Sequence, residues 1–175
     1  MNKLTLIAFL LCTSILSFAN KQEIDHEKSK VTFEISNMKV KTVNGSFSGM
    51  KGTVKFNPKD LKNSSFSVCV DAATVNTDNT KRDDHLRTED FFFVSKYPVI
   101  CFESELIQKT STGYMVKGKL TIHGVTKQVT VPFTFENNVL KGSGKINRLD
   151  YGIGVDTGTA MVGDEVTITV VCQLK

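Results

Sequence analysis

Hydrophobic and polar residues alternate with a period of two along almost the whole chain. Val31, Phe33 and Ile35 alternate with Lys30, Thr32 and Glu34. Val54 and Phe56 alternate with Thr53 and Lys55, and Phe66, Val68 and Val70 with Ser67, Cys69 and Asp71. Ile100, Phe102 and Leu106 are set on one face, opposite Cys101, Glu103 and Glu105. Tyr114, Val116, Leu120 and Ile122 oppose Lys117, Lys119 and Thr121; Val129, Val131, Phe133 and Phe135 oppose Gln128, Thr130 and Thr134. The last run sets Val166, Ile168, Val170, Cys172 and Leu174 against Glu165, Thr167, Thr169 and Gln173. Successive side chains of a strand point to opposite faces, so this period predicts strands with one apolar and one wetted face. Asn57-Pro58, Thr112-Gly113, His123-Gly124, Asn137-Asn138 and Gly163-Asp164 supply the turns between them.

Strands that each keep a polar face belong to antiparallel sheets. The expected fold class is all-β, and both a sandwich and a barrel accommodate the alternation. Short sequential links favour a single antiparallel up-and-down barrel of about eight strands, whose interior either fills with side chains or holds one small ligand. Gly142 and Gly144 share a face with Leu140 and Ile146. On an inward face they leave the wall bare; the alternative is a bend or bulge in the strand.

One segment, residues 80–93, breaks the β pattern and predicts a short helical insertion. Asn79 or Thr80 can cap it, and Asp83 and Asp84 suit its first turn. So short a helix is not stable alone and must pack on the barrel, with Phe91, Phe92 and Phe93 as its apolar contacts. Arg82, Asp83, His85 and Arg87 are concentrated in the same segment. As chemistry they suggest an acid/base pair with an anion clamp; as structure they hydrogen-bond loop backbone and cap the barrel end. All four sit in one short stretch and no G-x-S-x-G elbow occurs, so no catalytic residue is assigned and the cluster is taken as structural.

Residues 1–19 have a positive start at Lys3, an apolar run over 4–11 and a small-x-small ending at Ser17-Phe18-Ala19. That is the form of a cleaved secretory signal peptide, which leaves one domain over 20–175, exported and without stable membrane insertion. The formal net charge of +4 falls by one without Lys3, and the basic residues are scattered, so nucleic acid is not an expected partner. Twelve Phe and no Trp mark a chain that fills space more than it makes hydrogen bonds. His26, His85 and His123 show no ligand spacing, and no metal or cofactor is expected. Export permits disulfides. Cys69 and Cys101 lie on the polar sides of their strands and can bridge if those strands are neighbours, whereas Cys172 lies on an apolar face as a buried free thiol.

Arg82-Asp83-Asp84-His85-Leu86-Arg87-Thr88-Glu89-Asp90-Phe91-Phe92, followed by Tyr97-Pro98-Val99-Ile100-Cys101-Phe102-Glu103-Ser104, resembles the signature of the YceI-like family. So do Gly118-Lys119-Leu120-Thr121-Ile122-His123-Gly124-Val125-Thr126-Lys127 and Asn147-Arg148-Leu149-Asp150-Tyr151-Gly152-Ile153. The resemblance covers essentially all of residues 20–175 in order. It departs at Phe93, where the family often has Asp. It implies a lipocalin-like barrel with an elongated apolar pore, a periplasmic location, and binding of a long-chain lipid such as a polyisoprenoid, an isoprenoid quinone or a fatty-acid derivative. The alternation then nominates Phe33, Ile35, Phe47, Val68, Phe102, Val131, Phe133, Ile168 and Val170 as lumen residues. Two other functions fit the same barrel: a lipid-modifying enzyme using His85 and Asp83, and a closed-core structural barrel with no ligand. The oligomeric state is left open.

Overall fold

The computed structural model describes residues 21–37, 41–159 and 161–175. The expected signal peptide, residues 1–19, lies outside them. Among the described residues nine strands run in chain order: β1 (Lys30–Asn37), β2 (Lys41–Phe47), β3 (Lys51–Lys55), β4 (Ser65–Asp71), β5 (Val99–Lys109), β6 (Tyr114–Ile122), β7 (Val125–Glu136), β8 (Val139–Asn147) and β9 (Val162–Gln173). Among the described residues one α-helix, α1 (Thr80–Leu86), stands between β4 and β5. All strands belong to one antiparallel sheet in the order β2-β1-β9-β8-β7-β6-β5-β4-β3. From β3 to β9 each strand lies beside its sequence neighbour, and β9 then returns to β1. The result is an up-and-down sheet curled on itself, with β2 and β3 as its two edges. The strand beyond the expected eight is β2, where Gly45 interrupts the apolar alternation between Val43 and Phe47.

The segment before β1 ties the edge strand β3 to the end of β9. The amide of Gln22 donates to the Val54 carbonyl at 2.8 Å, and the amide of Asp25 donates to Gln173 at 2.8 Å. The segment before β1 therefore spans from β3 to the end of β9 and carries buried Ile24 across that end of the barrel. Phe56, Phe66, Tyr114, Phe133 and Phe135 fill the same end, with ring centroids 4.9 to 5.9 Å apart, mostly edge to face. Such geometry suits the aromatic quadrupole and closes this end with packed rings.

One face assignment changes. The register of β5 against β6 slips between Ser104 and Leu106, a β-bulge. One extra residue reverses the parity of everything beyond it. Leu106, expected inside with Ile100 and Phe102, is 48% exposed, and Ile107 takes the buried place at 6%. At the bulge the Ser104 hydroxyl accepts from the Phe66 amide at 2.8 Å, supplying a partner where the ladder is disturbed.

Asn79 caps α1, its side chain accepting from the Arg82 amide at 3.0 Å. Leu86 and Phe92 pack into the core, Phe92 standing edge-on to Phe47 with centroids 5.3 Å apart. Phe91 is buried with Ile122, Tyr151 and Ile153. Phe93 does not join them. It takes a positive φ of 46° and turns outward to Tyr97, at 6.0 Å between centroids.

Candidate ligand-binding cavity

The curled sheet encloses a cavity of about 900 Å³ with an almost wholly apolar lining. That lies toward the upper end of single small-molecule sites, roughly 300–1,000 Å³. Phe33, Ile35, Phe47, Val68, Phe102, Val131, Phe133, Ile168 and Val170 all line it. They reach one space because alternate residues of adjacent strands meet across the ladder: Phe33 opposite Ile168, Val31 opposite Val170, and Val68 opposite Phe102. Alternation did not bring out Val43, Met50, Leu86, Phe91 and Phe92, which also line the cavity. Val43 sits on the Gly-interrupted strand, and the other four lie outside the strands.

A chain so rich in Phe keeps an open lumen because several rings lie along the wall. Phe33 lies over Gly45, its partner in the β1–β2 register. Phe102 lies over Gly118, where an added Cβ would sit 2.6 Å from the ring's Cζ. Gly142 and Gly144 also face the cavity, leaving that part of the wall without side chains.

The polar residues of the helical segment do not converge on a reaction centre. Asp83 is buried and accepts from both the amide (2.9 Å) and the hydroxyl of Thr77. Arg82 donates from Nε to the Thr77 hydroxyl and from Nη2 to the Thr77 carbonyl, each at 2.7 Å. Arg87 donates to the carbonyls of Ala73 and Val75 at 2.9 Å and pairs with Asp84. His85 is exposed, 3.1 Å from Asp90, with its ring against Phe91. The four therefore act in three separate places: two on the Thr77 turn, one on the 73–75 turn and one at the surface. Arg82 and His85 also touch the cavity rim. Among the described residues no His, Cys, Asp and Glu side chains gather as a metal-ligand set.

Arg148 organises the rim beside the segment that follows α1, where the Gly154 amide donates to the Asp90 carbonyl at 2.9 Å. It is 3% exposed and donates to the carbonyls of Ile153 (2.8 Å), Thr157 (3.1 Å), Val162 (3.1 Å) and Gly163 (2.9 Å). A guanidinium has five donors and no acceptor, so one side chain satisfies the carbonyls of an irregular loop. The sequence shows the Arg but not the carbonyls it will meet. Beside it Tyr151 is buried, and its hydroxyl has no hydrogen-bond partner among the described residues. Burial, followed by the neighbouring Asp150 charge, pushes this phenol up to about 12.

Cys69 and Cys101 face each other across β4 and β5 and are joined by a disulfide with Cα atoms 4.1 Å apart. Cys172 is a buried free thiol on the inner face of β9, and burial pushes it up to about 11.

This combination, an up-and-down sheet wrapped around an apolar cavity with a short helix at its rim, defines a small β-barrel binding fold. The YceI-like domain family model matches residues 22–174, and the chain belongs to that family. The chain is 30% identical over 186 residues to a UPF0312 protein of Serratia proteamaculans, covering 97% of each. Among solved structures, Burkholderia cenocepacia BcnA superposes with a TM-score of 0.78 at 31% identity, covering 86% of this chain and 98% of that one. A polyisoprenoid binding domain from Saccharophagus degradans, implicated in plant cell wall breakdown, shares the fold with a TM-score of 0.65 at 16% identity, covering 89% of this chain and 97% of that one.

Proposed function

We propose that this protein is an exported carrier that holds one long-chain apolar lipid in its lumen. The candidate ligands are a polyisoprenoid, an isoprenoid quinone or a fatty-acid derivative. The observation that carries the reading is the cavity itself: about 900 Å³, lined by alternate apolar residues of the sheet. Each methylene moved from water into such a lining contributes roughly 0.8 kcal/mol. Ten of them contribute about 8 kcal/mol, enough to offset the ordering cost of holding a flexible chain. A polyisoprenoid-binding domain of the same fold supports the ligand class.

Binding without turnover fits the polar residues near the lumen, since Arg82, Asp83 and Arg87 are engaged with backbone and Thr77 rather than with one another. Export to the periplasm rests on the form of residues 1–19 and on the Cys69–Cys101 bridge, which suits an oxidising compartment. No helix among the described residues is long and apolar enough to cross a membrane. Organic extraction of the purified, denatured protein followed by mass spectrometry tests the reading. A long-chain lipid at near-equimolar yield is expected. Protein that never acquires lipid, even when offered these classes in vesicles, would contradict it.

A further inference from the structure

The wall of the barrel is split between β7 and β8. These strands pair only from Phe133 opposite Gly142 to Glu136 opposite Val139. On its other side β7 stays paired with β6 as far as Val125, and β8 stays paired with β9 as far as Asn147. Two complete strands thus part company midway. Residues 125–132 of one and 143–147 of the other present edges that the sheet does not close.

The cavity reaches this split. Along the paired strands β6 and β9 its lining alternates: Val116, Leu120 and Ile122 on one, Val166, Ile168 and Val170 on the other. Along β7 the lining runs unbroken from Lys127 to Val131, and beyond β7 it resumes unbroken from Gly144 to Arg148. On the paired strands β4 and β5 such a run is only three residues long, Val68–Val70 and Ile100–Phe102 about the disulfide, whereas at the split it is five on each side.

The split is built to stay open. Pro132 has no N–H to offer and stands where the ladder stops. Lys127 shares the inward parity of Val129 and Val131 and has no ion-pair partner among the described residues. Lys145, on the facing edge, pairs with Glu165 of β9 at 2.7 Å rather than across the gap. Proline, inward-pointing charge and edge lysine are the devices that keep an open strand edge from pairing with another chain.

We propose that this slit is the portal through which the lipid chain passes sideways into the lumen, an inference that rests on the lipid-binding reading above. Gly144 still faces Val131 within van der Waals reach, so the opening lies beyond it, along residues 145–147, about 10 Å at strand rise. A hydrocarbon chain can fold in along that length while its headgroup stays in water at the lip, beside Lys127. Passage through the barrel end past Asn37, Thr157 and Met161, which also line the cavity, is the alternative route. A lateral portal spares the headgroup a crossing of the apolar lumen, where an unpaired polar group is costly.

The test is a reversible lock. Continuing the β7–β8 register past Phe133 and Gly142 places Thr130 opposite Lys145, both on the outer face. Thr130→Cys with Lys145→Cys ties the lips by a disulfide, or by a short bis-thiosulfonate linker where the gap exceeds a disulfide's reach. Val129→Cys with Ile146→Cys is the second pair should the first fail to fold. The probe is cis-parinaric acid, followed by fluorescence during uptake from and release to vesicles. Locked protein is expected to exchange the probe at least tenfold more slowly than the same protein after reduction, with unmutated protein unaffected by either treatment. Equal rates before and after locking would overturn the portal and assign passage to the barrel end. Reduced protein that takes up no probe at all would instead remove the lipid-binding reading, and the portal with it.

Discussion

The outer end of the Phe33 ring lies over Gly45, its partner across the β1–β2 ladder. A Cβ on Gly45 would sit 2.5 Å and 2.9 Å from the two ε carbons of that ring. The ring can therefore lie along the wall only because Gly45 lacks a side chain. Gly45→Val should drive Phe33 toward the lumen, lower stability by about 1–3 kcal/mol, as overpacking does, and reduce the recovered lipid. Gly144→Ala is the contrast, since its Cβ would meet Val131 at an ordinary 3.8 Å. Urea unfolding and lipid extraction of both variants check the pair.

The helical segment should divide by burial. Asp83→Ala strands the Thr77 amide and hydroxyl in a buried turn and should cost about 2–3 kcal/mol. His85→Ala removes an exposed contact with Asp90 and should change stability by less than about 0.5 kcal/mol. Thermal melts read the difference. A chemical turnover on a candidate lipid that His85→Ala abolishes, with unchanged melting, would favour the enzyme alternative.

Tyr151 makes a prediction in pH. Its folded phenol holds its proton to about 12, while the unfolded chain releases it near 10.0. Between those values unfolding releases a proton, so stability falls as pH rises, by roughly 2 kcal/mol from this group, and is unaffected below the window. Tyr151→Phe removes a buried hydroxyl that has no partner. It should stabilise the protein by about 1 kcal/mol at pH 7 and flatten the decline above pH 10. Urea midpoints across pH 7 to 12 for both proteins decide it.

The thiols should behave unequally. Cys69→Ser with Cys101→Ser opens a bridge across a sequence separation of 32 and should cost about 2–4 kcal/mol. Cys172, buried and with its thiol pushed up to about 11, should resist a thiol reagent at pH 8 in the native state and react at once in urea. Mass analysis of the labelled protein under both conditions reads this directly.

What could be read from the sequence follows from what alternation encodes. Ile168 and Val170 could be set on the inner face because β9 alternates from Val166 to Val170. Leu106 was misplaced because the bulge after Ser104 adds a residue without any mark in the apolar pattern. The split between β7 and β8 was not readable because each strand, taken alone, is well formed. Its traces were Lys127 on an apolar face and Pro132 within the run, and neither says which neighbour is missing. The work of Arg148 was hidden because its partners are carbonyls, which every residue carries.

On the proposed function, the inner face of the sheet holds a hydrocarbon chain. Val170 lines the cavity, whereas Thr169, next to it, has its hydroxyl 3.2 Å from that of Ser143 on the outer side. Mass spectrometry of lipid extracted from three purified proteins, each shown folded by circular dichroism, tests this most directly. The unmutated protein and Thr169→Glu should each carry lipid at near-equimolar yield. Val170→Asp should carry none, because a carboxylate desolvated against hydrocarbon costs several kcal/mol. Folded Val170→Asp with its full lipid load would mean that the inner face does not hold the lipid.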